Sequence, residues 1–293
     1  MKLEGSIGVF YLKLESRILA LSIAVGALVG FLVVASVPSA RPYSITNSGE
    51  RGFTKLVDSV KPVVTTSLRE LADVDAERAL LVSARSSSLG GRDIEYLLGF
   101  VERGGVLLAY GNVDFLLALA ERLGVNLSLR GRVYDAVFNA GTRSVVRVEV
   151  NSSICSGVVF LKSPYAVNVS SASTRVASIA FSSFLSYIDQ DGNGFYDLGE
   201  FIGSSPIGYE LAFGRGLVVL FFTDGFLDNS LISYNEGFLT CLASTKFLVL
   251  DQSEFFGDFF EYPKLLLRST QSHVYVLAIV ALLAAVSYYV RSD

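Results

Sequence analysis

Phe100-Val101-Glu102-Arg103-Gly104-Gly105-Val106-Leu107-Leu108-Ala109-Tyr110-Gly111-Asn112 is the stretch on which the reading of the fold turns. Its front end finishes a helix, because Ile94, Leu97, Leu98 and Val101 keep the i, i+3, i+4, i+7 spacing of one buried helical face. Gly104-Gly105 ends that helix, since glycine takes a left-handed backbone without a Cβ clash. Val106 to Tyr110 is then a charge-free apolar run, which suits a strand covered on both faces. Asn112 is placed to cap a second helix, with Leu116, Leu119, Ala120 and Leu123 on its inner face and Gly124 at its end.

Working outward, Ala79 to Ser83 (ALLVS) and Leu217 to Phe222 (LVVLFF) read as further covered strands. Phe53, Leu56, Val57 and Val60 give a third helical face, with Ser48 or Glu50 near its start. Strands alternating with helices predict a doubly wound α/β sandwich of flavodoxin-like type. Residues 129–185 break the rhythm. RGRVYDAV, SVVRVEV, SGVVFLK and TRVASIAF carry β-branched residues and no helical period, so a β-rich insertion or sheet extension is expected there.

The chain has 293 residues, 51% hydrophobic and 18% charged, with a mean hydropathy of +0.49. The apolar excess lies at the ends. Ile18 to Val37 is a charge-free run of 20 residues, and Val274 to Val290 one of 17. At about 1.5 Å per residue these lengths approach the ~30 Å hydrocarbon core, so two membrane spans are expected. Cleavage of the first run as a signal peptide near Val37-Pro38-Ser39-Ala40 is the alternative. Lys2, Lys13 and Arg17 before the first run, against Arg41 alone after it, predict both termini cytoplasmic and residues 41–270 outside the cell membrane. A net charge of -4 excludes the basic face a nucleic-acid binder needs. Three sequons, at Asn126, Asn151 and Asn168, fall in the outer region. Cys155 and Cys241 either pair there or sit as small buried hydrophobes.

The most specific chemical signal is Asp189-Gln190-Asp191-Gly192-Asn193-Gly194-Phe195-Tyr196-Asp197-Leu198-Gly199-Glu200. Numbered as a twelve-residue calcium loop, it offers side-chain oxygens from Asp189, Asp191, Asn193, Asp197 and Glu200. The Phe195 carbonyl stands at position 7 and Gly194 at the tight turn. One structural Ca²⁺ is expected, since no helix pair flanks the loop and there is no second copy.

Nucleophilic catalysis lacks its base. The sole histidine, His273, adjoins the second apolar run, and no Gly-x-Ser-x-Gly elbow, phosphate-binding lysine loop or zinc-type Cys/His cluster occurs. An open α/β sheet places ligands at the carboxyl ends of its strands. Those ends offer a possible polar ligand rim of Asn47, Arg85, Asn112, Asp224 and Asn229, with Ser44, Ser86, Asp114 and Asp228 beside it. Helix caps and solvated turns are the plainer role for such residues.

The order of these elements, with Gly104-Gly105 before a strand, Asp224 and Asn229 in GRGLVVLFFTDGFLDN and Asp251 in LVLDQSEFFGD, resembles an uncharacterised, membrane-anchored family with a class I glutamine amidotransferase-like fold. Asp251, Glu254, Phe255 and Phe256 stand where that family often has Asp-Glu and two histidines. Gly111-Asn112-Val113 stands at its nucleophile elbow. The resemblance therefore implies the fold without glutaminase activity. Related domains in auxiliary subunits of ABC transporters imply a binding or scaffold role beside a transporter or ATPase. The sequence thus leads to a non-catalytic, membrane-anchored scaffold with one calcium. The alternative is a metal-dependent hydrolase using Asp224 or Asp228.

Overall fold

The structure, a computed structural model, describes residues 37–172 and 175–255 without a break, together with 19, 22–31, 33–34, 258, 260–261 and 264–265. Two compact units divide the chain, Ala40–Phe256 and a second made of Met1–Ser39 with Gly257–Asp293. Among the described residues no helix is long and apolar enough to cross a membrane. The second run, 274–290, lies outside the described residues. The expectation of a two-span protein in the cell membrane with an extracytoplasmic domain is corrected accordingly.

The larger unit opens with α1 (Thr54–Val60), β1 (Val63–Thr65), β2 (Ala79–Arg85), α2 (Gly91–Glu102), β3 (Val106–Gly111) and α3 (Val113–Arg122). Strands then follow without helices: β4 (Val125–Asp135), β5 (Val145–Asn151), β6 (Ser156–Lys162), β7 (Tyr165–Ala172), β8 (Val176–Ser182), β9 (Ser186–Asp189), β10 (Pro206–Phe213) and β11 (Gly216–Phe221). α4 (Glu236–Thr245) and β12 (Phe247–Asp251) complete it.

A nine-stranded sheet runs β1-β12-β2-β3-β11-β10-β8-β5-β6, and a three-stranded sheet runs β7-β4-β9. From β1 to β11 the neighbours are parallel; from β11 to β6 they are antiparallel. The doubly wound sandwich is therefore corrected to a mixed, sheet-rich fold. The cause is the helix-free stretch between α3 and β11: strands joined by turns pair antiparallel, because a parallel neighbour needs a long crossover.

Burial explains the apolar runs. All of β2 and β3 is buried. On one face Leu81, Leu107, Ala109, Val218, Leu220 and Val249 share a core with Leu97, Phe100 and Val101 of α2 and Phe115, Leu116 and Leu119 of α3. On the other face Tyr110 meets Tyr43 and Phe226 edge-on at 5.7 and 5.8 Å, and Phe226 packs on Phe238 of α4. Asn112 caps α3, its side chain accepting from Phe115 N at 3.0 Å. Neither Ser48 nor Glu50 caps α1, which begins at Thr54. Cys155, at the β5–β6 turn, and Cys241, in α4, form a disulfide with Cα atoms 6.1 Å apart.

Candidate functional site

The rim residues fall into three places. Arg85, at the end of β2, is 3% exposed and donates from Nη2 to Asp251 Oδ2 at 2.6 Å, across the sheet at the end of β12. Ser83 Oγ donates to the same carboxylate oxygen at 2.8 Å. Asn112 lies beside Arg85, with its backbone N–H on the Arg85 carbonyl at 2.7 Å. Asn47 and Asn229 meet elsewhere. The Asn229 amide donates to the carbonyls of Asn47 and Gly49 and to Thr54 Oγ1, and its oxygen accepts from Lys55 N at 2.9 Å, inside the first turn of α1. An asparagine 174 positions away thus satisfies a helix start that lacks its own capping side chain. Gly52 must be glycine in this clip, since a Cβ there would come within 1.8 Å of the Asn47 carbonyl. Asp224 pairs with Arg132 at 3.0 Å, half-exposed, and its carbonyl accepts from Tyr43 Oη at 2.6 Å. Ser86 is held by Glu254, and Asp114 sits in the first turn of α3.

Asp228 behaves differently. It is 1% exposed; Oδ1 accepts from Ser230 and Leu231, while Oδ2 has no hydrogen-bond partner. Burial pushes its carboxyl up from the ordinary 3.8, with Ser230 and Lys162 opposing. Tyr110, fully buried nearby and also without a partner for its hydroxyl, is pushed up by burial and by the Asp228 charge. A raised carboxyl pKa in the folded state stabilises the fold fully below the ordinary value, and that contribution is lost as pH rises through the folded pKa. Asp228→Asn is accordingly expected to gain stability relative to the parent as pH climbs from 4 to 7. Urea unfolding at stepped pH checks this, and a pH-independent difference would refute it.

The acidic loop follows β9. Asp189 is 2% exposed, and its two oxygens accept from Gly192 N and Gly194 N, both at 2.7 Å. Asp191 and Asp197 both accept from Asn193 Nδ2, and Glu200 accepts from Gln190 N and Asp197 N. Gly192 and Gly194 hold φ of 82° and 76°, which lets these N–H groups turn inward. Oxygens of Asp189, Asp191 and Glu200 lie within 4.8 Å of one another. No described lysine or arginine forms an ion pair with them. The donor set is all oxygen, which suits a hard divalent cation. Asn193 and Asp197 stand beside the three, hydrogen-bonded together, and Phe195 projects outward beneath the Arg143 guanidinium at 4.2 Å.

Sequence reasoning missed a cavity of about 360 Å³ at the carboxyl ends of β1, β2 and β12. It is lined by Thr66, Ser67, Leu68, Arg69, Arg85, Arg92, Asp93, Tyr96 and Ser253. The signal available was positional, since Thr66-Ser67 follows the short strand β1 and Gly90-Gly91-Arg92 opens a helix after the covered strand β2.

No protein-family profile and no curated protein matches the chain. Similar solved structures include the mmIFT52 N-terminal domain, at 11% identity and a TM-score of 0.41 over 61% of this chain and 78% of that one. A β-galactosidase from Bacillus circulans sp. alkalophilus matches at 10% identity and 0.36. A cytoplasmic protein from Salmonella typhimurium LT2 matches at 15% and 0.34, over 62% of this chain and 76% of that one. The chain covers 57% of its own length but only 22% of that β-galactosidase's. These are not amidotransferases. The amidotransferase-like resemblance is corrected, and the residues that carried it have local explanations. Gly104, at φ 105°, closes α2; Asp224 holds Arg132; Asn229 clips α1; Asp251 holds Arg85. With every score below 0.5, these likenesses assign neither fold nor activity to this chain.

Proposed function

We propose that the chain is a non-catalytic binding or scaffold module whose acidic loop holds one structural Ca²⁺. The observation that carries the binding role is the use to which the strand-end polar groups are put. Asn112, Asp224 and Asn229 spend their hydrogen bonds on the fold itself, and Arg85 commits Nη2 and Nε to it, keeping Nη1 for the cavity. Both cysteines are consumed in the disulfide, and the described residues include no histidine, so no Cys–His or Ser–His pair stands among them. The partner expected is another protein, such as a component of a transport assembly. Purifying the full chain from its native source under mild conditions should leave a stoichiometric partner bound. Turnover of an ester, phosphoester or glycoside that disappears in Asp224→Ala would overturn this reading.

Calcium would be held by carboxylates of Asp189, Asp191, Asp197 and Glu200, the Asn193 amide oxygen and the Phe195 carbonyl. It would relieve the repulsion among three close carboxylates, one of which is buried. An ion that binds only the folded state raises stability by mass action. Calcium at a hundredfold excess over Kd should add about 2.7 kcal/mol, read as a rise in Tm of the full chain. Asp189→Ala should remove the rise. An unchanged Tm in the parent protein would exclude the site.

A further inference from the structure

We infer that the cavity between β1, β2 and α2 is a binding site for a small anion, one carrying a carboxylate or phosphate group. The inference gives the binding role proposed above a ligand and rests on that role; it is independent of the calcium loop, which lies on other elements.

The floor is Arg85. Its guanidinium is fixed on several sides, with Nη2 on Asp251 and on Ser253 Oγ at 2.5 Å, Nε on Ser83 Oγ at 3.4 Å, and the plane 5.9 Å from the Phe115 ring. A guanidinium has five N–H donors in a rigid fork. Among the described residues nothing accepts from Nη1, although the side chain is only 4% exposed and lines the cavity. A buried, immobilised cation with an idle donor is a preorganised half of an anion contact, because its ordering is already complete in the empty protein.

The walls continue the bias. Arg69 and Arg92 reach the cavity from the rim as exposed side chains without ion pairs among the described residues. Ser67 Oγ and Ser253 Oγ accept from Arg69 N and Arg85 Nη2, which leaves both hydroxyl protons free to donate inward. Tyr96 adds a third hydroxyl. Against these donors the lining holds a single carboxylate, Asp93. Three other acidic groups stand near, but outside the lining, and all are engaged: Asp251 is bound to Arg85 Nη2, Ser83 and Ser253 N. Glu70 accepts from Thr65 and Thr66, and Glu254 from Ser86 and Ser87. A cavity rich in donors and short of acceptors selects an acceptor-only ligand group, and the paired N–H geometry of arginine fits both carboxylate and phosphate. The volume, about 360 Å³, matches a metabolite-sized molecule and not a bare ion. The position, at carboxyl ends of parallel strands, is where open α/β sheets take ligands.

Calorimetric titration of the full chain with citrate, glucose 6-phosphate, inorganic phosphate and uncharged glucose tests this. Saturable, one-to-one binding of citrate or glucose 6-phosphate is expected, weakening as salt rises, with none for glucose. Citrate against glucose 6-phosphate tells whether carboxylate or phosphate is preferred. Arg69→Ala and Arg92→Ala should each weaken binding at least about tenfold, the scale of one charge-assisted hydrogen bond. Both side chains are exposed, so these variants should keep the parent's Tm, and Arg78→Ala, away from the lining, should bind as the parent does. No saturable binding to any of the anions overturns the inference. So does binding that survives the Arg69/Arg92 double substitution, or that falls equally in Arg78→Ala. Loss of anion binding with the stoichiometric protein partner still attached would remove this inference alone, whereas metal-dependent turnover would remove the binding role beneath it.

Discussion

Asp251→Ala is expected to lower the unfolding free energy by about 3–5 kcal/mol, the cost of removing one partner from a buried ion pair. Asp251 is 4% exposed and Arg85 3%. Without the carboxylate, the guanidinium stays buried beside hydroxyls that cannot neutralise it. The same substitution strips the acceptor from Ser83 Oγ and from Ser253 N. Desolvation is the larger effect, offset only in part by water entering the cavity that Arg85 lines. Asp251→Asn, which keeps an oxygen for Ser253 N, should cost less than Ala. Urea unfolding of the three proteins measures this, read at constant m-value so that the change is one of stability and not of compactness. A loss below about 1 kcal/mol for Ala would mean that Arg85 finds water or another anion, and the rigidity assigned to the cavity floor would fall with it.

Losing the disulfide should be as costly. Cys155 and Cys241 are separated by 86 positions. Cross-linking a loop of that length removes unfolded-state entropy worth about 4–5 kcal/mol in the loop-closure account. The bond joins the β5–β6 turn, at the antiparallel end of the large sheet, to α4. α4 has only a short buried face, Phe238, Leu239 and Leu242, so the covalent tie carries much of its attachment. Cys155→Ser/Cys241→Ser is expected to melt about 10–15 °C below the parent, on the usual scaling of Tm with stability for a chain of this size. Thermal scans with and without reductant check it. The parent in reductant should coincide with the double variant, and a parent indifferent to reductant would show that the loop is already closed by packing.

How much of this was legible before the structure depends on whether the cause was local. β2 and β3 were readable because their runs are apolar on both faces, and α3 because Asn112 and Leu116, Leu119 and Ala120 sit within one helix. The acidic loop was readable because its ligand spacing is contiguous, and the structure brings Asp189, Asp191 and Glu200 together. What stayed hidden depended on topology. Arg85 and Asp251 were each noticed, but their pairing spans 166 positions and exists only because β12 lies beside β2. Asn229 reads in sequence as a possible rim residue or, more plainly, a cap, but that the helix it serves is α1, 174 positions away, has no trace in the sequence around it. The mixed sheet was misjudged because a strand's own pattern does not state its direction. Counting apolar residues at the amino-terminal end gave a length, whereas among the described residues no helix is long and apolar enough to cross a membrane.

The place of β12 also sets a timetable. It lies between β1 and β2, yet about 160 residues separate its start from the end of β2. During synthesis at about 5–20 residues per second, the facing edges of β1 and β2 therefore wait roughly 8–30 s for the strand that joins them. Through that interval the nascent chain carries two unpaired parallel edges, one of them apolar from Ala79 to Val82, of the kind that recruits other chains. The final gap is filled by a short strand arriving last, so the sheet closes like a keyed arch. Any truncation before Phe247 would leave a halted ribosome product with its centre open, a natural substrate for chaperones.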